Sequence, residues 1–182
     1  TNHKVLIAYF SEPLPDGTDA NTSASRVVAG NRLYGSVEYM ATVIGEATGG
    51  DMVRIQTETP YPGNFDDLAA QADNERQNGI HPTLSTSIEG FENYDVVFVG
   101  YPVWWYQMPM PMYSFFDRYD FSGKTIIPFS SHGGSGWSGT IADIAGLEPE
   151  ATMVDGFSTL RSNVASSAEE IHNWLRDINI IE

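Results

Sequence analysis

Two runs of this chain, Lys4–Phe10 (KVLIAYF) and Asp95–Gly100 (DVVFVG), are apolar almost throughout. They are too short for an ordinary helix, and they lack the alternation of a strand with one wet face. A strand that is apolar on both faces must be covered on both faces. Parallel sheets with helices packed on each side meet that condition. Asp51–Gln56, Lys124–Ser130 and Ala151–Val154 read as three further short strands, with Pro128 awkward in the middle of the fourth.

The segments between them carry helical signals. Val37, Met40, Ala41, Ile44 and Ala47 line one face of a helix expected from a Ser36 cap to about Thr48, where Gly49-Gly50 stops it. A largely polar helix spans Phe65–Gln77. Another begins at Pro109 or Pro111 and runs to about Tyr119. A fourth follows the loop His132–Gly136 and ends near Gly146. The last is capped by Ser166 or Ser167 and presents Ile171, Trp174, Leu175 and Ile178 inward. Strand and helix thus alternate five times, which specifies an α/β domain with a parallel sheet between two helical layers. The 182 residues fit one domain over 1–182, domains running to about 100–200 residues. Residues 11–34 show no usable period and read as a long loop.

Composition narrows the function. Nine Lys and Arg against 24 Asp and Glu leave a net charge of −15, which excludes nucleic acid and an anionic membrane surface as expected partners and favours a basic protein. Simple solubility explains the same charge equally well. Without cysteine there is no thiol nucleophile, disulfide or cysteine-held metal, and the four histidines show no ligand spacing. The uncharged stretch Val96–Phe116 approaches the length of a bilayer span, but Pro102, Pro109 and Pro111 break it into strand, loop and helix start. The expected compartment is the cytoplasm. Export stays open because the first residue, Thr1, is not an initiator Met.

In sheets of this kind ligands sit beyond the carboxyl ends of the strands. Ser11 follows the first strand, and Tyr34-Gly35-Ser36 opens the first helix, whose amino terminus suits a phosphate. Capping alone accounts for Ser36 as well. After the third strand, Tyr101 to Tyr106 includes two adjacent tryptophans. An indole on this crevice offers a flat face to a planar heteroaromatic ligand, while core packing is the plainer alternative. After the fourth strand, Ser131-His132-Gly133-Gly134-Ser135-Gly136 leaves bare amides able to reach such a ligand's polar edge, with His132 either a donor or incidental. Gly134–Gly139 also fits G-x-G-x-x-G, but that fingerprint belongs to the first strand–helix turn and this is the fourth.

The three loops in this order resemble the flavodoxin family, in particular bacterial flavodoxin-like proteins with a Pro-x-Trp-Trp loop and a His-Gly-Gly-Ser-Gly loop. Here these are Pro102-Val103-Trp104-Trp105 and His132–Gly136, and Thr59-Pro60-Tyr61-Pro62 and Tyr94-Asp95 also fit. The resemblance implies a flavodoxin-like three-layer α/β/α sandwich with five parallel strands in the order 2-1-3-4-5, binding FMN without a covalent link. It implies that Ser11, Gly35, Ser36 and Val37 hold the phosphate. Pro102, Val103, Trp104, Trp105 and Tyr106 would form one wall for the isoalloxazine, and Ser131, His132, Gly133 and Gly134 its other edge. Residues 12–34 would be an insertion in the phosphate loop, and Tyr106 stands where related chains often have Gly. The implied role is electron transfer, with a basic redox partner. The alternatives are an FMN-dependent NAD(P)H oxidoreductase acting on a quinone-type acceptor and, more distantly, a hydrolase or flavin-free binding module.

Overall fold

A computed structural model of the chain describes residues 4–11 and 27–182. Strand β1 is Val5–Tyr9, β2 Val27–Ala29 and β3 Arg32–Tyr34, followed by helix α1 at Ser36–Thr48. Next come β4 (Asp51–Arg54), α2 (Phe65–Gln77), β5 (Val96–Pro102), α3 (Met110–Arg118), β6 (Thr125–His132) and α4 (Thr140–Leu147). The chain ends with β7 (Thr152–Met153), β8 (Phe157–Leu160) and α5 (Ala168–Asp177). All pairings in the main sheet are parallel, in the order β4-β1-β5-β6, with β7 and then β8 on the far side of β6. Taken along the chain this is the expected 2-1-3-4-5, with the fifth position filled by two short strands. The chain steps from β1 out to β4 and returns to β5 on β1's other side. The strand order therefore reverses between β1 and β5, where a crevice must open.

The absence of alternation in the apolar runs has a direct explanation. Leu6, Ala8 and Phe10 join one core cluster with Val97, Val99 and Tyr101, under Leu68, Met112, Phe115 and Ile144 of α2, α3 and α4. Ile7 and Tyr9 join the other with Val96 and Phe98, under Val37, Met40 and Ile44 of α1 and Ile171, Trp174 and Leu175 of α5. Successive side chains point to opposite faces, and both faces are covered.

Local chemistry sets the boundaries. Gly49 ends α1 at φ +70, its N–H returning to the Gly45 carbonyl at 2.8 Å. Asn64 caps α2 by accepting the Asp67 N–H at 2.9 Å. The start of α1 differs from expectation. Gly35, not Ser36, is the capping residue, and Glu38 reaches back to accept the Gly35 N–H at 3.1 Å.

Two further differences have physical causes. Of the stretch read as a loop, residues 27–34 form an antiparallel hairpin, β2 with β3, turning through Gly30 and Asn31 at φ +56 and +73. Both positive angles belong to a type I′ turn, which Gly and Asn tolerate. The rest of the expected insertion, residues 12–26, lies outside the described residues. Second, the fifth strand is longer than Ala151–Val154 and broken. β6 pairs with β7 as far as Ile126↔Met153 and with β8 from Phe129↔Phe157. Between these pairs Ile127 and Pro128 face three residues, Val154, Asp155 and Gly156, which is a bulge. Pro128, lacking an N–H, sits where the ladder on this side is already interrupted. That is how a proline is accommodated in β6. Trp174 of α5 fastens the bulge, its indole N–H donating to the Asp155 carbonyl at 2.9 Å. No helix among the described residues is long and apolar enough to cross a membrane.

The bulge yields a stability prediction. A Cβ on Gly156 would lie 2.2 Å from the Pro128 carbonyl oxygen, a main-chain atom that cannot rotate away. Gly156→Ala is expected to cost about 1–3 kcal/mol, read as a lower midpoint in urea unfolding. An unchanged midpoint would show that the bulge has room the geometry denies.

Candidate functional site

The loops after β1, β5, β6 and β8 leave the sheet at its carboxyl edge. After β5 the Val103 N–H donates to the Ser131 carbonyl at 2.9 Å, tying the tryptophan loop to the glycine loop. Trp104 and Gln107 then exchange two main-chain hydrogen bonds of 2.9 and 3.1 Å across a tight turn. Trp105 and Tyr106 occupy its centre at φ +51 and +63. This is again a type I′ turn, built from two bulky residues in a region that disfavours them by about 1–2 kcal/mol each. Tyr106 thus takes up the left-handed backbone that a glycine would adopt without strain.

The two indoles do different things. Trp104 is buried, with Phe10 and Tyr61 edge-on against it at 5.3 and 5.8 Å between ring centres. Its Nε1 is buried without a hydrogen-bond partner. Trp105 is half-exposed and lies against α2, donating to the Ala69 carbonyl at 3.1 Å, with the Arg76 guanidinium 5.9 Å from its ring centre. Tyr106 is exposed.

Across the crevice the glycine loop is shaped by His132. Its Nδ1 accepts the Gly134 N–H at 3.0 Å, so that nitrogen carries no proton and the ring is neutral. Burial favours the same state by holding the His132 pKa below its ordinary value. Gly134 sits at φ +133, a conformation side chains rarely adopt.

The two loops enclose a cleft of about 440 Å³. Val103, Trp104, Trp105 and Tyr106 form one side, and Gly133, Gly134, Ser135 and Arg161 the other. The first turns of α2 add a third, apolar wall from Phe65, Leu68, Ala69 and Ala72. The tryptophan and glycine loops therefore meet as expected, except that Pro102, Ser131 and His132 sit behind the lining. The α2 wall and Arg161 carry no motif and were not legible in the chain.

The expected phosphate elements gather separately at the start of α1. Ser11, Ser36 and Val37 are buried there. Ser11 Oγ accepts the Glu38 N–H at 3.4 Å, and the Gly35 N–H is engaged by Glu38. Arg54, the last residue of β4, donates to the Ser11 carbonyl and pairs with Glu38 at 3.5 Å. Its Nε is buried without a partner. Arg54 went unnoticed because only the pairing of β4 with β1 brings it to Ser11, whereas Glu38 sits locally, at the third position of α1.

Three buried side-chain polar atoms among the described residues lack a partner, and two of them stand at this edge: Trp104 Nε1 in the tryptophan loop and Arg54 Nε beside α1. Both are donors. Buried donors are rarely left unpaired in a finished structure, so both fit an acceptor-rich ligand.

The chain resembles several solved structures. A candidate flavoprotein from Bacteroides eggerthii is 26% identical, covering 97% of this chain and 98% of its own, with a TM-score of 0.71. One from Bacteroides uniformis is 24% identical, covering 97% and 99%, with a TM-score of 0.73. A flavoprotein of Lactobacillus acidophilus, solved in complex with FMN, is 16% identical, covering 91% and 98%, with a TM-score of 0.64, a likeness of fold. A search of curated proteins finds no match. The family model for flavodoxin matches residues 25–178, through the tryptophan loop, the glycine loop and helices α1 to α5, and the chain belongs to the flavodoxin family.

Proposed function

We propose that this protein binds FMN at the carboxyl edge of its sheet and serves as an electron-transfer protein. The observation that carries the reading is the pair of orphaned buried donors, Trp104 Nε1 and Arg54 Nε, at the two ends of one family-typical site. The open cleft, of the size usual for small-molecule pockets, supports it. When bound, FMN supplies the redox chemistry, and the protein binds, orients and tunes it.

The chain's own residues divide that work. Trp104 and Trp105 line one side of the ring's slot, and the bare amides of Gly133 and Gly134 meet its polar edge. The amides at Ser36 and Val37 and the hydroxyl of Ser11 hold the phosphate, the Gly35 N–H being engaged by Glu38, with Arg54 adding a directed donor that the first-strand loop, where Glu12 follows Ser11, does not supply. The net charge of −15 steers encounter with a basic redox partner, an attraction that falls as salt rises.

One observation favours a second reading, an NAD(P)H-dependent reductase of a quinone-type acceptor. The apolar wall from Phe65, Leu68, Ala69 and Ala72 extends the cleft beyond the two loops and suits an apolar acceptor. Steady-state assay with NAD(P)H and a quinone distinguishes the two. A carrier turns over negligibly without a partner enzyme, and sustained turnover selects the reductase.

The cofactor reading is tested by quenching of FMN fluorescence. The wild type is expected to saturate at one FMN per chain. Trp104→Phe, which keeps an aromatic ring and removes the N–H, is expected to weaken binding about tenfold, the worth of one buried hydrogen bond of about 1–1.5 kcal/mol. Equal affinity in the variant would remove Trp104 Nε1 from the account.

His132 gives a pH prediction. Its folded pKa lies below its unfolded one, so the unfolded chain takes up a proton first as pH falls below about 6.5. The stability that His132 contributes is complete above that pH. It is lost as pH falls through the folded pKa, when the protonated ring can no longer accept from Gly134. NMR titration of the His132 ring is expected to show a midpoint below 6.5, and a midpoint above it would refute the neutral assignment.

A further inference from the structure

Thr59-Pro60-Tyr61-Pro62 does not line the cleft, but its tyrosine packs against a residue that does. Residues 59–62 belong to no helix or strand. Tyr61 is nonetheless buried, in a trio of rings with Phe10 and Trp104 that meet edge to face at 5.3–5.8 Å. The Trp104 Nε1 has no hydrogen-bond partner, so the neighbouring rings set the angle of the indole. Tyr61 is fixed in turn by α2. Its hydroxyl donates to Glu75 Oε1 at 2.5 Å, and the Gln71 amide, one turn earlier, donates to Glu75 Oε2 at 3.4 Å. Helix α2 thus lines the cleft through Leu68, Ala69 and Ala72 and anchors the ring behind Trp104 through Glu75.

Resting on the FMN reading above, we propose that Glu75 is a positioning residue for the cofactor, holding Trp104 at the wall of the cleft through the hydroxyl of Tyr61. Stability alone does not call for a carboxylate here. Glu75 is 8% exposed, and both its partners are neutral. Burial raises its pKa above the ordinary glutamate value, and the bonds from Tyr61 and Gln71 offset only part of that rise. With the folded pKa above the unfolded one, the stability that Glu75 contributes is complete below the unfolded pKa and lost as pH rises through the folded one. At neutral pH the carboxylate therefore works against the fold. What the charge supplies is a stronger acceptor. Hydrogen bonds to an ionised group are about twice as strong as neutral ones, so Tyr61 is held most firmly when Glu75 is ionised. The proton has a route, since Tyr61 and Glu75 also line a second cavity of about 210 Å³ with Thr57, Glu58, Thr59 and Thr83. Glu58 is the other acid among the described residues on that cavity. The loop at 82–83 brings Pro82 and Thr83, which do not titrate, and Asp73 and Arg76 of α2 pair with each other.

The test titrates FMN by fluorescence into wild type, Glu75→Gln, Tyr61→Phe and the double variant, from about pH 8 to about pH 5, approaching the ordinary glutamate value. At the upper end Glu75→Gln, which keeps an acceptor but not the charge, is expected to bind FMN about threefold more weakly than wild type while unfolding at no lower urea concentration. The ratio of the two dissociation constants is expected to fall toward unity with falling pH, because wild type loses a charge that the variant never has. His132 and the phosphate titrate in both proteins and cancel in the ratio. In the Tyr61→Phe background the glutamine substitution is expected to have no further effect. A ratio that does not change with pH, a glutamine effect that persists without the Tyr61 hydroxyl, or an unchanged affinity with a lowered unfolding midpoint overturns the inference and leaves the cofactor reading intact. A wild type that does not quench FMN overturns both.

Discussion

Burial of the sheet on both faces governs the rest of this structure. With Leu6, Ala8 and Phe10 packed under one helical layer and Ile7 and Tyr9 under the other, β1 has no surface left for chemistry. The same holds for β5, whose seven residues are all buried. Polar groups that must meet a ligand are therefore confined to the ends of the strands. The reversal of strand order between β1 and β5 opens only one of those ends into a crevice. The tryptophan loop, the glycine loop and the start of α1 share an edge because the core leaves them no other place.

At that edge the protein accepts local strain. Trp105 and Tyr106 sit in left-handed backbone without the glycine that would relieve it, and Trp104 keeps a buried N–H unpaired. The turn persists because its ends are tied. Trp104 and Gln107 close it, Val103 is bonded to Ser131, and the Trp105 indole is anchored to the Ala69 carbonyl. Strain held by surrounding contacts, next to an unpaired donor, is the condition of a site that a ligand completes.

The sequence revealed the parts of this arrangement that are local. Periodicity and stop signals marked α2 at the residues where it begins and ends and α1 to within one residue at its start, and the apolar runs marked β1 and β5. The order of the sheet followed from the family resemblance of three loops. Part of what stayed hidden is too short to register, and the rest depends on contacts distant in the chain. Val27–Tyr34 carries a Gly-Asn turn between strands of three residues, too short for alternation to register. The split at Asp155 and Gly156 answers a proline in a different strand. Arg54 and Arg161 become neighbours of the expected site only through the register of β4 on β1 and of β8 on β6.

That hidden set matters for electrostatics. Nine basic residues serve the whole chain, and among the described ones Arg54 stands beside α1, Arg161 lines the cleft and Arg76 lies over Trp105. They are not equivalent. Arg54 is mostly buried and balanced by Glu38 at 3.5 Å, so its positive charge is partly spent within the protein, and what it offers an anion is a directed donor beside α1. Arg161 lies on the bare backbone of Gly133 in a cleft whose other described walls are uncharged.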